Sequence, residues 1–583
     1  MGLFFLIRGR SDASRSAVAA ERICAKMGFA TPKILSADGI VVYVYPKRGQ
    51  THTNTVTFAS GDFAVACGTF IFRGEIGEAA LKAFYNVFDG DFSHLAEAVC
   101  GFVIVIRKAG RVHVAGDRFG GYHLFRNSMT TVVSSSFLVA ATAIDRVTLT
   151  AQSIFEYVFN GVVSGNETLI AEISLLPIGS SLAIDAENVT LQQPTLEPPR
   201  APFSLPREEL IKRSFAELDR QFGIFTNLFG DSVTCALSGG YDSRLILAML
   251  RRRGCRPRVY VYGRPTDRDI AIASKIARGE EFALDVIDKE DRIVGDPAEF
   301  SEIVAQNYFA ADGYCWDGLF NNGAEQEQRV MRGAGGAIVL NGGGGEIFRN
   351  FFYLRGRHYS VRQLLWSFYA QFDPYACTEL FEGERYFCDL ERKILELVGS
   401  VKWLERPTID WLYHRFRCRS WDGRVDTINS QYGFTGLPFL NPRITDLAAQ
   451  IPACWKNHGA FEAELIRRAD TRLASYSSTY GYNFSSSPPF GARMQDFANY
   501  FRPPALRRFT HRVKHRWRRG GHLRGYLASA YVDVVLPGGV EAMRSFFRLD
   551  RVGDPAQLAR ILSLEYLVRQ FGHQLRFDLD RHL

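Results

Sequence analysis

The chain has 583 residues, enough for about two to four domains of ordinary size. Its composition, 46% hydrophobic and 23% charged, excludes a disordered or fibrous protein. The net charge of +8 is modest for this length, and no apolar run reaches the ~18–20 residues of a membrane span. Ten cysteines lie scattered without a C-x-x-C pair, which favours buried, reduced thiols. We therefore expect a cytoplasmic multidomain protein with no transmembrane segment.

Residues 1–191 read mainly as short strands separated by turn residues. β-Branched and aromatic residues alternate there with Gly, Asp and Asn, a pattern typical of strands. The predicted strands are Ile40–Tyr45, Phe63–Phe72, Phe102–Arg107, Val112–Ala115, Thr130–Ser134 and Ser181–Ile184, and the predicted helices are Ala79–Phe88 and Ala151–Asn160. Residues 192–206 contain five prolines, so we expect an extended linker and a domain boundary.

After the linker, short apolar strands alternate with helices. The predicted strands are Ser232–Leu237, Arg258–Tyr262, Leu284–Ile287 and Ala337–Leu340, and the predicted helices are Ser243–Arg253 and Asp269–Arg278. Such alternation predicts crossover connections and a parallel sheet. Beyond about residue 360 the pattern is mainly helical.

The first strand of this second half leads directly into a glycine-rich turn, residues 238–243, with the sequence S-G-G-Y-D-S. Two glycines let the backbone approach a ligand, and the helix that follows presents free N–H groups to an anion. A carboxylate such as Asp242 suits a polyphosphate site only if a divalent cation bridges the two. No lysine follows the second glycine, so this is not the G-x-x-x-x-G-K-[ST] loop. The alternative is an ordinary strand–turn–helix connection with a Ser or Asp cap.

This turn resembles the pyrophosphatase loop, S-G-G-x-D-S, of the asparagine synthetase family. Residues 338–348 are similar to the family's strand and G-E-G-S-D-E-x-F turn, and residues 438–441 to its P-F-L-D. Residues 116–120 and 168–179 are similar to two segments of its N-terminal glutaminase-type domain. The resemblance runs from about residue 60 to 470 in the family's order. It implies an enzyme that cleaves ATP between the α and β phosphates to make an acyl-adenylate.

The resemblance also implies an α/β fold with a defined domain order. Residues 1–191 would be a degenerate glutamine amidotransferase-like domain, an N-terminal-nucleophile (Ntn) hydrolase-like αββα sandwich. After the linker at 192–206, residues 207–500 would be an ATP-pyrophosphatase (PP-loop) synthetase domain of the adenine-nucleotide α-hydrolase type. Its parallel sheet would be followed by a largely helical part. Residues 501–583 would form a basic amphipathic helix and a helical C-terminal extension.

The candidate cofactors are ATP and Mg²⁺. Asp242 and Glu346 are the candidate catalytic residues and Mg²⁺ ligands, since Glu346 closes a four-glycine turn at the carboxyl ends of the sheet. The candidate nucleotide-binding residues are Leu237, Ser238, Gly239, Gly240, Asp242, Ser243, Gly263 and Gly342. Two alternatives stay open: Glu346 could cap the next helix, and the strand before Gly263 could be ordinary core.

Several departures from the family change the expected reaction. The chain begins Met1-Gly2-Leu3, without the cysteine nucleophile of glutamine-hydrolysing members, so we expect no ammonia release from glutamine. The family's G-E-G glutamate falls at Gly343, and its helix lysine at Ala463. A nearby cation could replace that lysine, or the same cations could be solvated helix charges. The candidates are Arg467, Arg468 and Lys456.

Retention of the ATP loop without glutaminase residues resembles lasso-peptide cyclases and β-lactam synthetases, in which a substrate amine is the nucleophile. We therefore expect an ATP-dependent carbon–nitrogen ligase that adenylates a small-molecule or peptide carboxylate and couples it to an amine. A cyclase or macrolactam-type reaction is the preferred form. The alternatives are an ammonia-using, asparagine synthetase-like enzyme, against which Gly343 and Ala463 argue, and a non-catalytic nucleotide-binding scaffold.

A basic segment stands out near the C-terminus, because residues 502–519 hold eight Arg or Lys and no acid. Leu506, Phe509, Val513 and Trp517 recur at helical spacing within it. Such a helix could hold an acidic precursor or leader peptide, or a leader-binding partner protein, or it could lie on an anionic membrane. The commonest outcome is that the apolar stripe docks and the arginines stay in water. Because the basicity is confined to one segment, we expect no nucleic-acid partner.

Overall fold

The computed structural model describes residues 1–9, 13–37, 39–51, 54–199, 205–516 and 525–578. The strands of its N-terminal half are β1 Leu3–Arg8, β2 Lys33–Ala37, β3 Ile40–Tyr45, β4 Thr55–Thr57, β5 Phe63–Gly68, β6 Ile71–Phe72, β7 Glu75–Ile76, β8 Ala98–Val99, β9 Phe102–Lys108, β10 Arg111–Gly116, β11 Phe125–Asn127, β12 Val132–Ser134, β13 Val147–Thr150, β14 Ile173–Leu175, β15 Ser181–Ile184 and β16 Val189–Gln192. The helices of this half are α1 Ala13–Lys26, α2 Gly77–Val87, α3 Phe137–Ala141 and α4 Ala151–Asn160.

Two six-stranded antiparallel sheets form the centre of the N-terminal half. Their strand orders are β14-β11-β12-β1-β3-β2 and β16-β15-β10-β9-β5-β4. Strand β1 shows why they stack: Phe4 and Leu6 pack into the core shared with the other sheet, while Leu3, Phe5 and Ile7 pack against α1. Helix α2 covers the outer face of the second sheet. The result is the predicted helix–sheet–sheet–helix layering.

The second half contains the remaining elements. In chain order they are α5 Arg207–Phe229, β17 Val233–Ala236, α6 Asp242–Arg252, β18 Arg258–Tyr262, α7 Arg268–Gly279, β19 Leu284–Ile287, α8 Pro297–Ala310, α9 Ala324–Gly333, β20 Ile338–Leu340, α10 Val361–Phe368, α11 Gly383–Val398, α12 Arg406–Leu412, α13 Arg419–Asn429, β21 Phe434–Gly436, α14 Pro442–Ala449, α15 Ala453–Lys456, α16 Ala460–Ala469, α17 Thr471–Ser475, α18 Phe490–Phe501, α19 Pro504–Arg516, α20 Ser529–Val535, α21 Pro555–Phe571 and β22 Leu575–Asp578. A π-helix, Tyr413–Cys418, joins α12 to α13. Among the described residues, no helix is both long and apolar enough to cross a membrane.

Five of these strands form one parallel sheet in the order β19-β18-β17-β20-β21. The chain runs outward from β17 to β18 and β19, then crosses to β20 on the other side of β17. The strand order therefore reverses between β17 and β20, which is where open α/β sheets bind ligands, at the carboxyl ends of the strands. The predicted parallel sheet is confirmed, and it brings the loops after β17 and β20 to one edge.

The two halves share a large hydrophobic core and a buried polar contact. The Asp312 carboxylate accepts hydrogen bonds from the Ser136 hydroxyl (2.5 Å) and the Phe137 backbone N–H (2.7 Å). Arg424 of α13 donates to the same carboxylate at 3.2 Å. The C-terminal segment, expected to be helical, also ends in a strand, because β22 pairs in parallel with β13 of the first half.

The basic helix α19 turns its apolar stripe toward solvent and an arginine toward the rest of the protein, the reverse of the usual orientation. Leu506, Phe509 and Val513 are exposed, whereas Arg507 donates to the backbone carbonyls of Phe352 and Tyr353. The expectation that the apolar stripe docks and the arginines remain in water is therefore wrong for this part of α19. Its physical reason is that Arg507 caps carbonyls at the end of a loop, which an apolar side chain cannot do. Residues 517–524, including Trp517, lie outside the described residues.

Candidate functional site

The turn after β17 is closed by its two serines. Leu237 continues the sheet by donating its N–H to the Tyr260 carbonyl (2.8 Å). The Ser238 N–H then donates to Ser243 Oγ (2.9 Å), and the two serine hydroxyl oxygens lie 3.0 Å apart. Gly240 donates its N–H to Ser238 Oγ (3.2 Å). The turn is thus folded back onto the first turn of α6, which begins at Asp242.

Gly239 is needed because another part of the chain passes close to it. Its N–H donates to Asp269 Oδ1 (2.6 Å), and its carbonyl accepts the Thr479 N–H (3.1 Å). A Cβ at position 239 would lie 2.5 Å from Thr479 Cγ2. The close approach predicted for this glycine is therefore made, within the described residues, by the segment around Thr479.

The glycine-rich turn after β20 packs directly against Asp242. A Cβ at Gly342 would lie 3.0 Å from Asp242 Cβ, and one at Gly345 would lie 2.0 Å from Asp242 Oδ1. A Cβ at Gly343 would lie 2.6 Å from Oδ1 of Asp422, a half-buried acid of α13. The two segments that the sequence singled out separately thus meet at the switch point of the sheet.

Three acids converge on one arginine at this point. Arg349 Nη2 donates to Asp242 Oδ2 (2.6 Å) and lies 3.6 Å from Glu346 Oε1. Arg349 Nε lies 3.0 Å from Oε2 of Glu462, whose side chain is fully buried in α16. Arg349 therefore connects the two predicted Mg²⁺ ligands and a third acid that the sequence reasoning missed. Glu346 does not act as the helix cap of the alternative interpretation, because it lies inside the short 3₁₀ turn Gly345–Phe348, which has no side-chain cap, and the next helix, α10, is capped by Ser360.

Burial shifts the ionisation of these groups. It raises the pKa of Asp242 to about 6, partly offset by Arg349 and reinforced by Glu346. Burial and the proximity of Asp242 raise the pKa of Glu462 well above its ordinary value. Burial likewise raises the pKa of Asp422 to about 6. Although burial lowers the pKa of Arg349, its three acidic neighbours outweigh that effect and raise it, so this cation persists at any physiological pH.

The π-helix supplies one more contact to the cluster. Its first residue, Tyr413, donates its hydroxyl to Glu346 Oε2 (2.7 Å). A π-turn inserts an extra residue, which shifts the faces of the flanking helices, and such turns are frequent at functional sites. Here it allows Tyr413 to reach Glu346 while Asp422, on α13, lies beside Gly343.

The donor set suits a divalent cation even though the described residues contain no group of three or more His, Cys, Asp or Glu side chains arranged to hold a metal. Asp242 Oδ1 and Glu462 Oε1 are buried without a hydrogen-bond partner. Carboxylate oxygens are the ligands that Mg²⁺ prefers, and it keeps several waters or phosphate oxygens in its shell. One or two protein carboxylates are therefore sufficient to hold Mg²⁺ when a polyphosphate supplies further ligands.

The other predicted positions are dispersed around this centre. Gly263 ends β18 at the same edge of the sheet, with φ 144° and its Cβ position 2.7 Å from Asp267 Oδ2. Ala463 packs against the core. Arg467 and Arg468 are paired with Glu464, as expected of surface helix charges. The buried Lys456 donates to Asp410 Oδ2 at 2.8 Å rather than to the acid cluster.

A cavity of about 750 Å³ opens beside the acid cluster. Its lining includes Glu346 and Arg349, the tyrosines 241, 480 and 482, and the basic side chains Lys456, Arg502, Arg507 and His511. Cationic and aromatic groups suit an anionic or carboxylate-bearing molecule. Helices α18 and α19 thus form one wall of the candidate site.

Sequence reasoning missed Arg349, Glu462 and Tyr413. Arg349 follows Glu346 by three residues, so an E-x-x-R spacing after the glycine-rich turn was its one available signal. Glu462 is the residue next to Ala463, where the family's lysine was sought. Tyr413 had no local signal, because its contact depends on the path of the helix from residue 406 to 429.

The comparisons with known proteins are distant. No family model and no curated protein matches the sequence. Solved structures similar to the chain include one titled as the allosteric regulatory enzyme of purine biosynthesis (13% identity, TM-score 0.25). Another is glutamine phosphoribosylpyrophosphate amidotransferase from B. subtilis with ADP and GMP (12% identity, TM-score 0.24). Each likeness covers 49% of this chain and 80% of the other. Neither reaches a level from which function follows, so the architecture defines a mixed α/β protein and the function rests on the site.

Proposed function

We propose that the protein is an ATP-dependent ligase that adenylates a carboxylate and couples it to an amine, without glutamine hydrolysis. The observation that carries this proposal is the meeting of the S-G-G-Y-D-S turn and the turn ending in Glu346 at the switch point of a parallel sheet. We further propose that the second half is a PP-loop synthetase domain of the asparagine synthetase type and that the first is its degenerate amidotransferase-like partner.

The turn residues have distinct roles in this proposal. In this proposal the first N–H groups of α6 and the hydroxyls of Ser238 and Ser243 bind the phosphates, since a helix N-terminus favours negative charge. The backbone N–H groups of residues 237–240 are bonded within the protein, so they shape the turn rather than contact the ligand. In this proposal the base lies beside the end of β18 near Gly263, although the Cβ position of this glycine is taken by Asp267. Gly342 keeps the second turn close to Asp242. Asp242 and Glu346 would hold Mg²⁺, which when bound neutralises charge on the pyrophosphate leaving group.

The cavity supplies orientation and shelter for the coupling step. A carboxylate is a poor electrophile, and its conversion to a mixed anhydride with AMP makes attack by an amine feasible. In this proposal Arg502 and the tyrosines of the lining orient the carboxylate, because Lys456 and Arg507 are engaged with other groups of the protein, and the walls limit access of water to the anhydride. Arg349 acts as a positioning residue, because it holds Asp242 and Glu346 at 2.6 and 3.6 Å from one nitrogen. We favour a cyclase or macrolactam-type product.

One observation favours a second candidate, a nucleotide-binding scaffold without turnover. The Arg349 guanidinium already contacts both proposed metal ligands, and a protein that needed only to bind could keep that pairing. ATP–pyrophosphate exchange separates the two functions. The ligase predicts Mg²⁺-dependent exchange with at least one member of a panel of amino acids, amino-acid derivatives and peptides. Measurable ATP affinity without exchange for any of them favours the scaffold, and absence of ATP binding refutes both.

Among catalysts, the ammonia-using alternative is tested in the same assay. An asparagine synthetase-like enzyme would exchange with free aspartate and form asparagine when ammonium is added. The proposed ligase predicts no such product, because Gly343 and Ala463 remove the family's glutamate and lysine.

A further inference from the structure

Helices α18 and α19 each carry a stripe of exposed apolar side chains among the described residues. On α18 the side chains of Phe490, Met494, Phe497 and Phe501 are exposed, the first of them by 76%. At 100° per residue these four positions fall within an arc of about 60°. Exposed contiguous apolar patches of this kind mark interaction surfaces.

Helix α19 continues the surface with a second apolar stripe. Leu506, Phe509 and Val513 are 45%, 62% and 44% exposed, and they also fall within an arc of about 60°. Arg512 and Lys514 are exposed and flank this stripe on its two sides. Helix α19 therefore shows an apolar centre bordered by positive charge on the side facing away from the protein.

The charge around the pair is almost entirely positive. Arg493 and Arg355 border the groove of about 590 Å³ that α18 lines, and Arg355 lies over the Phe501 ring at 4.2 Å. Three acids near the two helices each lie beside a basic side chain, Asp496 next to His458, Glu384 next to Arg508 and Asp373 next to His515. Residues 497–519 contain no Asp or Glu. The surface is complementary to something that is both apolar and anionic.

We propose that α18 and α19 form a docking surface for an anionic phospholipid bilayer, on which the protein lies peripherally. Two consecutive amphipathic helices with protruding phenylalanines and flanking Arg and Lys match the composition of interfacial helices. The α18 side chains line the groove, but the stripe on α19 projects outward and lines none, which favours a bilayer over a bound peptide. The opposite faces of the two helices line the cavity beside the acid cluster, so docking would place the outer side of that cavity wall against the lipid.

Vesicle co-sedimentation tests the proposal on the full-length protein. The probes are phosphatidylcholine vesicles with and without phosphatidylglycerol, at low and at physiological salt. We expect binding to the anionic vesicles that weakens with salt, and little binding to phosphatidylcholine alone. Equal absence of binding to both vesicle types would overturn the proposal.

Two variants locate the surface. The triple change Leu506→Ser, Phe509→Ser and Val513→Ser removes the apolar stripe, and we expect at least a ten-fold loss of vesicle affinity. The double change Arg512→Gln and Lys514→Gln should lower affinity about five-fold for each charge removed. Because all five side chains are exposed, circular dichroism should show a parental fold.

The matched control lies on α9, where Val330 and Met331 are 52% and 49% exposed. The double change Val330→Ser and Met331→Ser should leave vesicle binding unchanged, and an equal loss in this control would refute the assignment to α18–α19. If the chain bound an acidic amphipathic peptide but no vesicle, the surface would be a peptide site and the bilayer proposal would be wrong. ATP affinity, measured on the same variants, should stay parental, so this test is independent of the proposed ligase.

Discussion

Substitution of Gly345 by alanine displaces the Asp242 side chain while leaving residue 242 itself an aspartate. The new Cβ would lie 2.0 Å from Asp242 Oδ1 and 2.6 Å from its Cγ, so the carboxylate must retreat by roughly 1.5 Å to reach ordinary contact distance. Gly345 does not have a left-handed backbone, so alanine is conformationally allowed there and the effect falls on the side chain of Asp242. A misplacement of about 1 Å at a reacting group lowers turnover about 10²-fold, and overpacking costs ~1–3 kcal/mol of stability.

The assay is Mg²⁺-dependent ATP binding by calorimetry together with ATP–pyrophosphate exchange, with thermal unfolding measured in parallel. Gly356→Ala is the control, because a Cβ there meets no atom within 4 Å. We expect Gly345→Ala to lose Mg²⁺-dependent ATP affinity and about 10²-fold in exchange, while Gly356→Ala stays parental. Parental affinity and exchange in Gly345→Ala would show that the position of Asp242 does not matter and would refute the reasoning.

Three further predictions concern buried charges. Burial raises the pKa of Asp426 to about 7, so its ionisation destabilises the folded state as pH rises. The stability that Asp426→Asn gains over the parent should therefore grow from pH 5 to pH 8 in thermal unfolding. A difference that does not depend on pH would contradict this. Arg349→Met leaves Asp242 and Glu462 without their cation, so its loss of stability should be larger at pH 8 than at pH 5, because the raised pKa values of these two acids favour their neutral forms at pH 5. The reverse order would be inconsistent with the cluster. Lys393→Met leaves the buried Glu156 carboxylate, 2.5 Å from the lysine, unpaired and should destabilise the protein by ~3–5 kcal/mol in chemical unfolding; a change under about 1 kcal/mol would contradict the buried pair.

Local sequence patterns predicted the strands well where turn residues flank both ends of the strand. Ile40–Tyr45, Ser181–Ile184 and Arg258–Tyr262 begin and end where expected, because β-branched and aromatic runs are bounded there by turn residues. The helix Ala13–Lys26 was not predicted, since most of its apolar residues are alanines, which give a weak periodic signal. Phe63–Phe72 was predicted as one strand but is broken after Gly68, which has φ 82°.

The candidate site was predictable only as separate segments. The turn at 238–243 and the turn ending in Glu346 each have a local pattern, and the parallel sheet implied that they would meet. Arg349 and Glu462 could not be assigned a partner, because their contacts arise from the packing of α16 against α6. The prediction for the orientation of α19 failed for a similar reason. Periodicity shows that an apolar stripe exists, but it does not show which face of the helix packs against the rest of the protein.

Substitution of Asp242 by asparagine tests the proposed ligase most directly, since it removes a charge with little change in shape. The measurement is AMP formation from ATP with Mg²⁺ and the carboxylate that supports exchange in the parent protein. We predict that Asp242→Asn forms no AMP above background, because the metal-bridged triphosphate can no longer be held at the start of α6. AMP formation by Asp242→Asn at the parental rate would contradict the proposed role of this site.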